Sequence, residues 1–265
     1  MTIVVGATTP DGIVLAADSR TTFSEGERHR VVSDNAQKIF PVGRMGVATA
    51  GDAFIGTDTI AGTMDRFIAQ VGSRALGDFD RFLHALGEFF DERFKRHLEA
   101  NGETWDVDEL GYPIDLLVGG YDSDGVGHLK ELLIPGPTIG EFSADTLDGG
   151  TMWRGQTDVI GRLLKGVDWN ELARSGEPLP PEQTERLEGL AYNGLSPITV
   201  QDCVDYTTFL VRTTIDMQRF SDGIVARPGL VPGCGGPIHA LVIERGGTSW
   251  ASPSTREHWQ RAEPR

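Results

Sequence analysis

Few residues in this sequence are placed to do chemistry. There is no G-x-S-x-G, no P-loop, no H-E-x-x-H and no G-x-G-x-x-G following a strand. The six histidines, His29, His84, His97, His128, His239 and His258, are scattered, and none pairs with another at metal-ligand spacing. Each reads as a surface or core histidine. Cys203 and Cys234 form no C-x-x-C pair and are too few for a disulfide framework. No metal and no cofactor is expected. What remains is Thr2. A threonine hydroxyl is a weak nucleophile and needs a base within hydrogen-bond reach. A free α-amine on the same residue can be that base, because its pKa of about 8 lies close to working pH. Threonine is small enough for Met1 to be trimmed ahead of it, exposing Thr2 without a propeptide.

Charge and composition narrow the partners. The 265 residues are 39% apolar and 24% charged, an ordinary globular balance with enough apolar side chains for a sizeable core. A formal net charge of −15 repels phosphate backbones, so nucleic acid is not an expected ligand. The apolar runs are too short to span a membrane, and the start of the chain lacks the basic and apolar regions of a secretory signal. With so few cysteines, a reducing, cytoplasmic setting is expected.

The elements that must position Thr2 can be read from turns and periodicity, and there is no internal repeat. Residues 2–8 and 13–18 flank Pro10-Asp11-Gly12 and predict a hairpin. Residues 21–36 are polar and predict a loop. Residues 38–42 and 45–50 predict a second hairpin. Helices are predicted over 52–74 and 79–100, the latter with Phe82, Leu83, Leu86, Phe89, Phe90, Phe94 and Leu98 at helical spacing and Asn101-Gly102 as its stop. Residues 114–121 and 126–134 predict strands joined by Asp122-Ser123-Asp124-Gly125, a turn that lacks the rest of a calcium loop. Residues 135–155 are Gly-rich with weak strand signal, and 156–167 predict a helix. Residues 168–198 predict an insertion with one short helix. Residues 200–219 predict a helix with Val200, Cys203, Val204, Val211, Thr214 and Met217 on one side, and 238–244 the last strand. Strands and helices come in pairs, which argues against a doubly wound parallel sheet. The expected fold is α+β: two antiparallel sheets between helix pairs, a four-layer αββα sandwich. One domain covers 1–265, with insertions near 168–198 and 222–233 and a short tail at 252–265.

Several segments resemble a known family. Thr2-Ile3-Val4-Val5-Gly6, then 11–20 (Asp-Gly-Ile-Val-Leu-Ala-Ala-Asp-Ser-Arg), then 33–40 (Ser-Asp-Asn-Ala-Gln-Lys-Ile-Phe) look like the opening of proteasome β-subunits and the HslV-like group of N-terminal-nucleophile hydrolases. Leu116-Leu117-Val118-Gly119-Gly120-Tyr121-Asp122 resembles their central strand. Gly155-Gln156-Thr157 with Gly161 resembles the opening of their third helix, and Cys234-Gly235-Gly236 with the strand after it their late Gly-Gly loop. The resemblance implies the same αββα fold and a threonine peptidase or amidohydrolase acting on polypeptide or amide substrates through an acyl-enzyme. It implies Thr2 as nucleophile, Asp18 and Lys38 as the catalytic carboxylate and lysine, and the Gly51 amide as oxyanion donor. It also implies a homo-oligomeric ring, with any ATPase unfoldase a separate protein.

Departures from the family bear on activity. Arg154 stands where the family has a serine before its third helix, if Gly155-Gln156 is held in register. For the family's late aspartate and serine, an ungapped match gives Gln218 and Ser221; anchoring on the Gly-Gly pair gives Cys234 for the serine, and Asp216 and Asp222 are further candidates for the aspartate. Two other readings therefore stand beside the peptidase: a non-catalytic or weakly catalytic ring-forming subunit, and an amidase for a small acylated metabolite.

Overall fold

Thr9 sets the first turn of the chain. Its hydroxyl accepts from the Asp11 and Gly12 amides at 3.3 and 3.1 Å and folds β1 (Ile3–Thr9) back onto β2 (Gly12–Ala17). The computed structural model describes residues 2–25, 28–72, 76–174, 176, 179–192, 199–220 and 231–251. Over these the chain is mixed α/β, with fourteen strands and seven helices.

Two five-stranded sheets carry the fold, and every pairing within them is antiparallel. One has the order β12 (Gly150–Gly155), β1, β2, β13 (His239–Glu244), β14 (Gly247–Trp250). The other has the order β11 (Thr138–Asp145), β10 (Gly127–Ile134), β9 (Ile114–Tyr121), β6 (Met45–Gly51), β5 (Ile39–Val42). Val4, Leu15 and Ile243 of the first sheet meet Ala48, Leu117 and Leu129 of the second in one cluster, so the sheets pack face to face. Their other faces are covered by helices. α1 (Ile60–Gln70) and α2 (Phe79–Asn101) place Met64, Phe67, Phe82, Leu86 and Phe90 on Val47, Leu116 and Val118. On the first sheet, α4 (Asp158–Lys165) and α7 (Val200–Phe220) place Ile160, Leu164, Leu210 and Val211 on Ile3, Val5 and Ala16. Burial on both faces is why β1 and β2 read as continuous apolar runs with no polar alternation. α2 stops as its sequence predicts, with Gly102 left-handed, and at its start Asp78 accepts from the Arg81 amide.

Departures from the predicted elements have local causes. Residues 21–36 hold a two-stranded ribbon, β3 (Thr21–Glu25) with β4 (Arg28–Ser33), whose polar sequence hides its pairing. The first helix starts at Ile60, capped by Thr59, after a small hairpin of β7 (Phe54–Ile55) and β8 (Asp58–Thr59). The Gly-rich stretch contains β11 and β12, both edge strands, and β14 closes the other edge. The 168–198 segment has two short helices, α5 (Trp169–Arg174) and α6 (Pro181–Glu188), besides the short α3 (Val107–Leu110) earlier in the chain. The buried stripe of α7 runs through Cys203, Val204, Thr207, Leu210, Val211 and Thr214 to Gln218, and Met217 faces outward. No helix among the described residues is long and apolar enough to cross a membrane.

Candidate active site

The strand ends gather the polar residues. β2 stops at Ala17, and Asp18 follows it; β5 starts at Ile39, and Lys38 precedes it. Asp18 is 0% exposed, and its carboxylate has four donors. Oδ1 accepts from Lys38 Nζ at 2.7 Å and the Ile3 amide at 3.0 Å; Oδ2 accepts from the Gly235 amide at 2.9 Å and the Arg20 amide at 3.2 Å. The four donors satisfy the buried carboxylate, and the contact leaves the buried Lys38 ammonium paired. The Lys38 carbonyl is held by the Thr49 amide at 2.9 Å, which ties the lysine to β6.

Thr2 lies one residue before β1, 7% exposed. Thr2, Lys38 and Gly51 line one cleft of about 510 Å³, together with Thr22, Thr49 and Asp52. Burial pushes the Asp52 carboxyl above the usual carboxylate range. A larger, shallower hollow of about 970 Å³ lies at the opposite end of β1, by the β1–β2 and β13–β14 turns. It lacks a buried ion pair, so the cleft at Thr2 is the candidate site. No group of three or more His, Cys, Asp or Glu among the described residues could hold a metal ion.

Two glycines shape this end of the sheets in the same way. Gly51 ends β6 with φ +91°, and Gly155 ends β12 with φ +92°. A Cβ on Gly51 would overlap the Pro113 carbonyl oxygen, and one on Gly155 the Thr2 carbonyl oxygen. In each case the following amide takes that carbonyl: Asp52 N donates to Pro113 O, and Gln156 N to Thr2 O, both at 2.8 Å. Glycine is the residue that meets both demands, a left-handed backbone and a close carbonyl.

Around the ion pair runs a second ring of contacts. Arg20 grips Asp34 through Nε at 2.7 Å and Nη2 at 3.1 Å and reaches the Pro232 carbonyl through Nη1 at 3.2 Å. The Arg20 guanidinium holds the Asp34 carboxyl below its ordinary range. Ser19 Oγ is 2.7 Å from both the Asp34 and Pro237 carbonyl oxygens, and its one proton serves either. Gln218 Nε2 donates to Gln156 Oε1 at 2.9 Å, and Gln218 Oε1 accepts from the Cys234 amide at 2.8 Å. Burial pushes the Cys234 thiol up, which keeps it protonated and inert.

The remaining candidates are placed differently. Arg154 is not among the residues lining the cleft. It pairs opposite Val4, and its guanidinium binds Glu131 through Nε and Nη2, with Asp115 Oδ2 3.3 Å away. Asp115 is mostly buried between the sheets, and desolvation, with Glu131 adding, pushes its carboxyl up to about 8. Asp216 is half-buried on α7 and does not line the cleft. Ser221 and Asp222 lie outside the described residues, as does most of the 222–233 segment. Gln156 and Gln218 are 62 positions apart, and neither carries a local signature of its partner; only the register of the family resemblance singled them out.

No family model matches the sequence, and no curated protein does. Solved structures do. Anbu, described as an ancestral β-subunit, from Yersinia bercovieri has a TM-score of 0.53 at 14% identity, covering 97% of this chain and 91% of that one. A Gly-1 mutant of Anbu from Hyphomicrobium sp. strain MC1 has 0.53 at 13%, covering 100% and 99%. A second Anbu structure from that strain has 0.55 at 12%, covering 99% and 98%. At such identities the likeness is one of fold. It corrects the resemblance drawn from sequence: these similar solved structures are Anbu proteins, and no family model or curated protein supports membership of the proteasome β-subunit and HslV-like group.

Proposed function

We propose that this chain is a threonine-type amidohydrolase acting on polypeptide or other amide substrates, with Thr2 as nucleophile once Met1 is removed. The observation that carries this reading is the buried Lys38–Asp18 pair, 2.7 Å apart, beside the cleft that Thr2 and Gly51 also line. Thr2 Oγ1 attacks the amide carbonyl carbon while the Thr2 α-amine takes the hydroxyl proton. The Lys38 cation stabilises the alkoxide as it develops, and Asp18 keeps that cation paired. The Gly51 amide donates to the oxyanion. The C–N bond breaks, the α-amine passes its proton to the leaving amine, and an ester on Thr2 remains. Water, deprotonated by the same amine, hydrolyses the ester and restores Thr2.

The test begins with intact mass. A chain starting at Thr2 is expected; full retention of Met1 overturns the mechanism, because a blocked amine is no base. A β-lactone probe should then add once, on Thr2, with no adduct in Thr2→Ala. Lys38→Ala should slow the labelling by about 100-fold or more. Labelling at the parent rate would remove Lys38 from the mechanism.

One observation favours a second reading, a non-catalytic or weakly catalytic subunit: Arg154 is committed to Glu131 and Asp115 and cannot act as a hydroxyl would. Absence of the adduct in a chain that has lost Met1 selects it. With either reading we assign the four-layer αββα sandwich of N-terminal-nucleophile hydrolases as a single domain, with α1 and α2 outside one sheet and α4 and α7 outside the other. A homo-oligomeric ring is proposed with it, and an ATPase, where one takes part, is a separate protein.

A further inference from the structure

We infer that Gln218 is a positioning residue for the Thr2 site, joining through one buried amide the strand end that holds Thr2 to the loop that holds Asp18. The inference rests on the proposed reading of Thr2 as nucleophile. Gln218 lies at the inward end of α7 and is 4% exposed. Both ends of its amide are used. Oε1 accepts from the Cys234 amide at 2.8 Å, and Nε2 donates to Gln156 Oε1 at 2.9 Å. On one side, Gln156 donates its backbone N–H to the Thr2 carbonyl at 2.8 Å. On the other, Gly235, next to Cys234, donates to Asp18 Oδ2 at 2.9 Å, and Asp18 Oδ1 holds Lys38. Each arm is one hydrogen bond, one residue or one peptide unit, and a further hydrogen bond. Nucleophile and cation belong to different sheets, so their separation depends on ties of this kind.

The chemistry of the side chain suits the task. Glutamine presents a donor and an acceptor on one rigid plane whatever the pH. It also adds no charge beside the Asp18–Lys38 pair. A glutamate here is equivalent only while protonated, when its O–H donates to Gln156 and its C=O accepts from Cys234. Ionised, it loses the donor and sets a second anion near Asp18. Substitution by glutamate therefore converts a pH-independent tie into a pH-dependent one, which a side chain that merely fills space would not do.

The experiment is the rate of Thr2 acylation by a β-lactone in the full-length chain, with hydrogen exchange of the Ile3 and Gly235 amides as a second readout. Gln218→Leu and Gln156→Leu should each slow acylation at least tenfold, and the double variant should be no slower than Gln218→Leu, because both cut one bridge. Gln218→Glu should approach the parent rate at low pH and fall away from it as pH rises. In Gln218→Leu the Ile3 and Gly235 amides, both donors to Asp18, should exchange at least tenfold faster. If Gln218→Leu does not fold, Gln156→Leu and Gln218→Glu decide the matter. Parent-like acylation in the leucine variants, additive losses in the double variant, or a Gln218→Glu profile parallel to the parent's would overturn the inference. A parent chain that takes no label sinks the reading of Thr2 instead. The exchange rates then decide the bridge alone: faster exchange upholds the tie, and unchanged exchange rejects it.

Discussion

Asp18 and Asp115 show how two buried carboxylates can be treated in opposite ways. Asp18 has four donors, one of them a cation, so its ionised form is fully met. Asp115 shares a single arginine with Glu131, and its Oδ1 is buried with no hydrogen-bond partner. Its carboxyl is pushed from an ordinary 3.8 up to about 8. Between those values the folded chain keeps a proton that the unfolded chain has released. The resulting stabilisation is complete below the lower value and is lost as pH rises through the upper one. Asp115→Asn should flatten that slope: the drop in melting temperature between about pH 5 and about pH 8.5 shrinks, and the variant is the more stable protein at the alkaline end. An unchanged slope would assign the pH dependence to another group. Of the candidate site, Thr2, Asp18 and Lys38 stood out at this scale because each sits in a short, distinctive run; the structure pairs Lys38 with Asp18 and lines one cleft with Thr2 and Lys38. Gln156 and Gln218 acquire meaning only by meeting across the fold, and Arg154 could not be read as a partner of Glu131 and Asp115 from any local pattern.

Among the elements, the legible ones were those with a strong period or a sharp turn. The β1–β2, β5–β6 and β9–β10 hairpins and the long α2 follow their sequence closely. None of the described side chains of the β3–β4 ribbon is buried, so no buried face imposes a pattern on them, and β11 and β12 sit at sheet edges, where glycine and polar residues are tolerated. The sequence pointed to Gly51 as an oxyanion donor and to Gly155 as part of the run before a helix, not to the two as matched devices that end β6 and β12. Their test is a comparison. Gly102 also has a left-handed backbone, but a Cβ there meets nothing within 4 Å, so Gly102→Ala should cost about 1–2 kcal/mol for the backbone alone. Gly155→Ala adds a clash with the Thr2 carbonyl and should cost more in urea unfolding, with slower Thr2 labelling in the folded fraction. Equal costs would mean that the strand end can shift without strain.

For the whole molecule, the pairing of strands and helices was enough to predict two antiparallel sheets with helices over them. Association was not legible from the composition. The outward side of α7 exposes Phe209, Met217 and Phe220, large apolar side chains on a chain with a net charge of −15. Such a face is best covered by another surface. Sedimentation should therefore give a species several times the single-chain mass of 28.8 kDa, and Phe209→Glu with Phe220→Glu should reduce it. A parent that sediments as one chain would count against the ring.

The bond from Gly235 to Asp18 also sets an order of events during synthesis. The proposed nucleophile and Lys38 are made long before residue 235, which brings the fourth donor to Asp18. A chain that stops short of residue 235 holds the proposed nucleophile and both members of the charge pair, but only three of the four donors to Asp18. Chain order alone thus leaves the hydrogen bonding of Asp18 incomplete until residue 235 has been made.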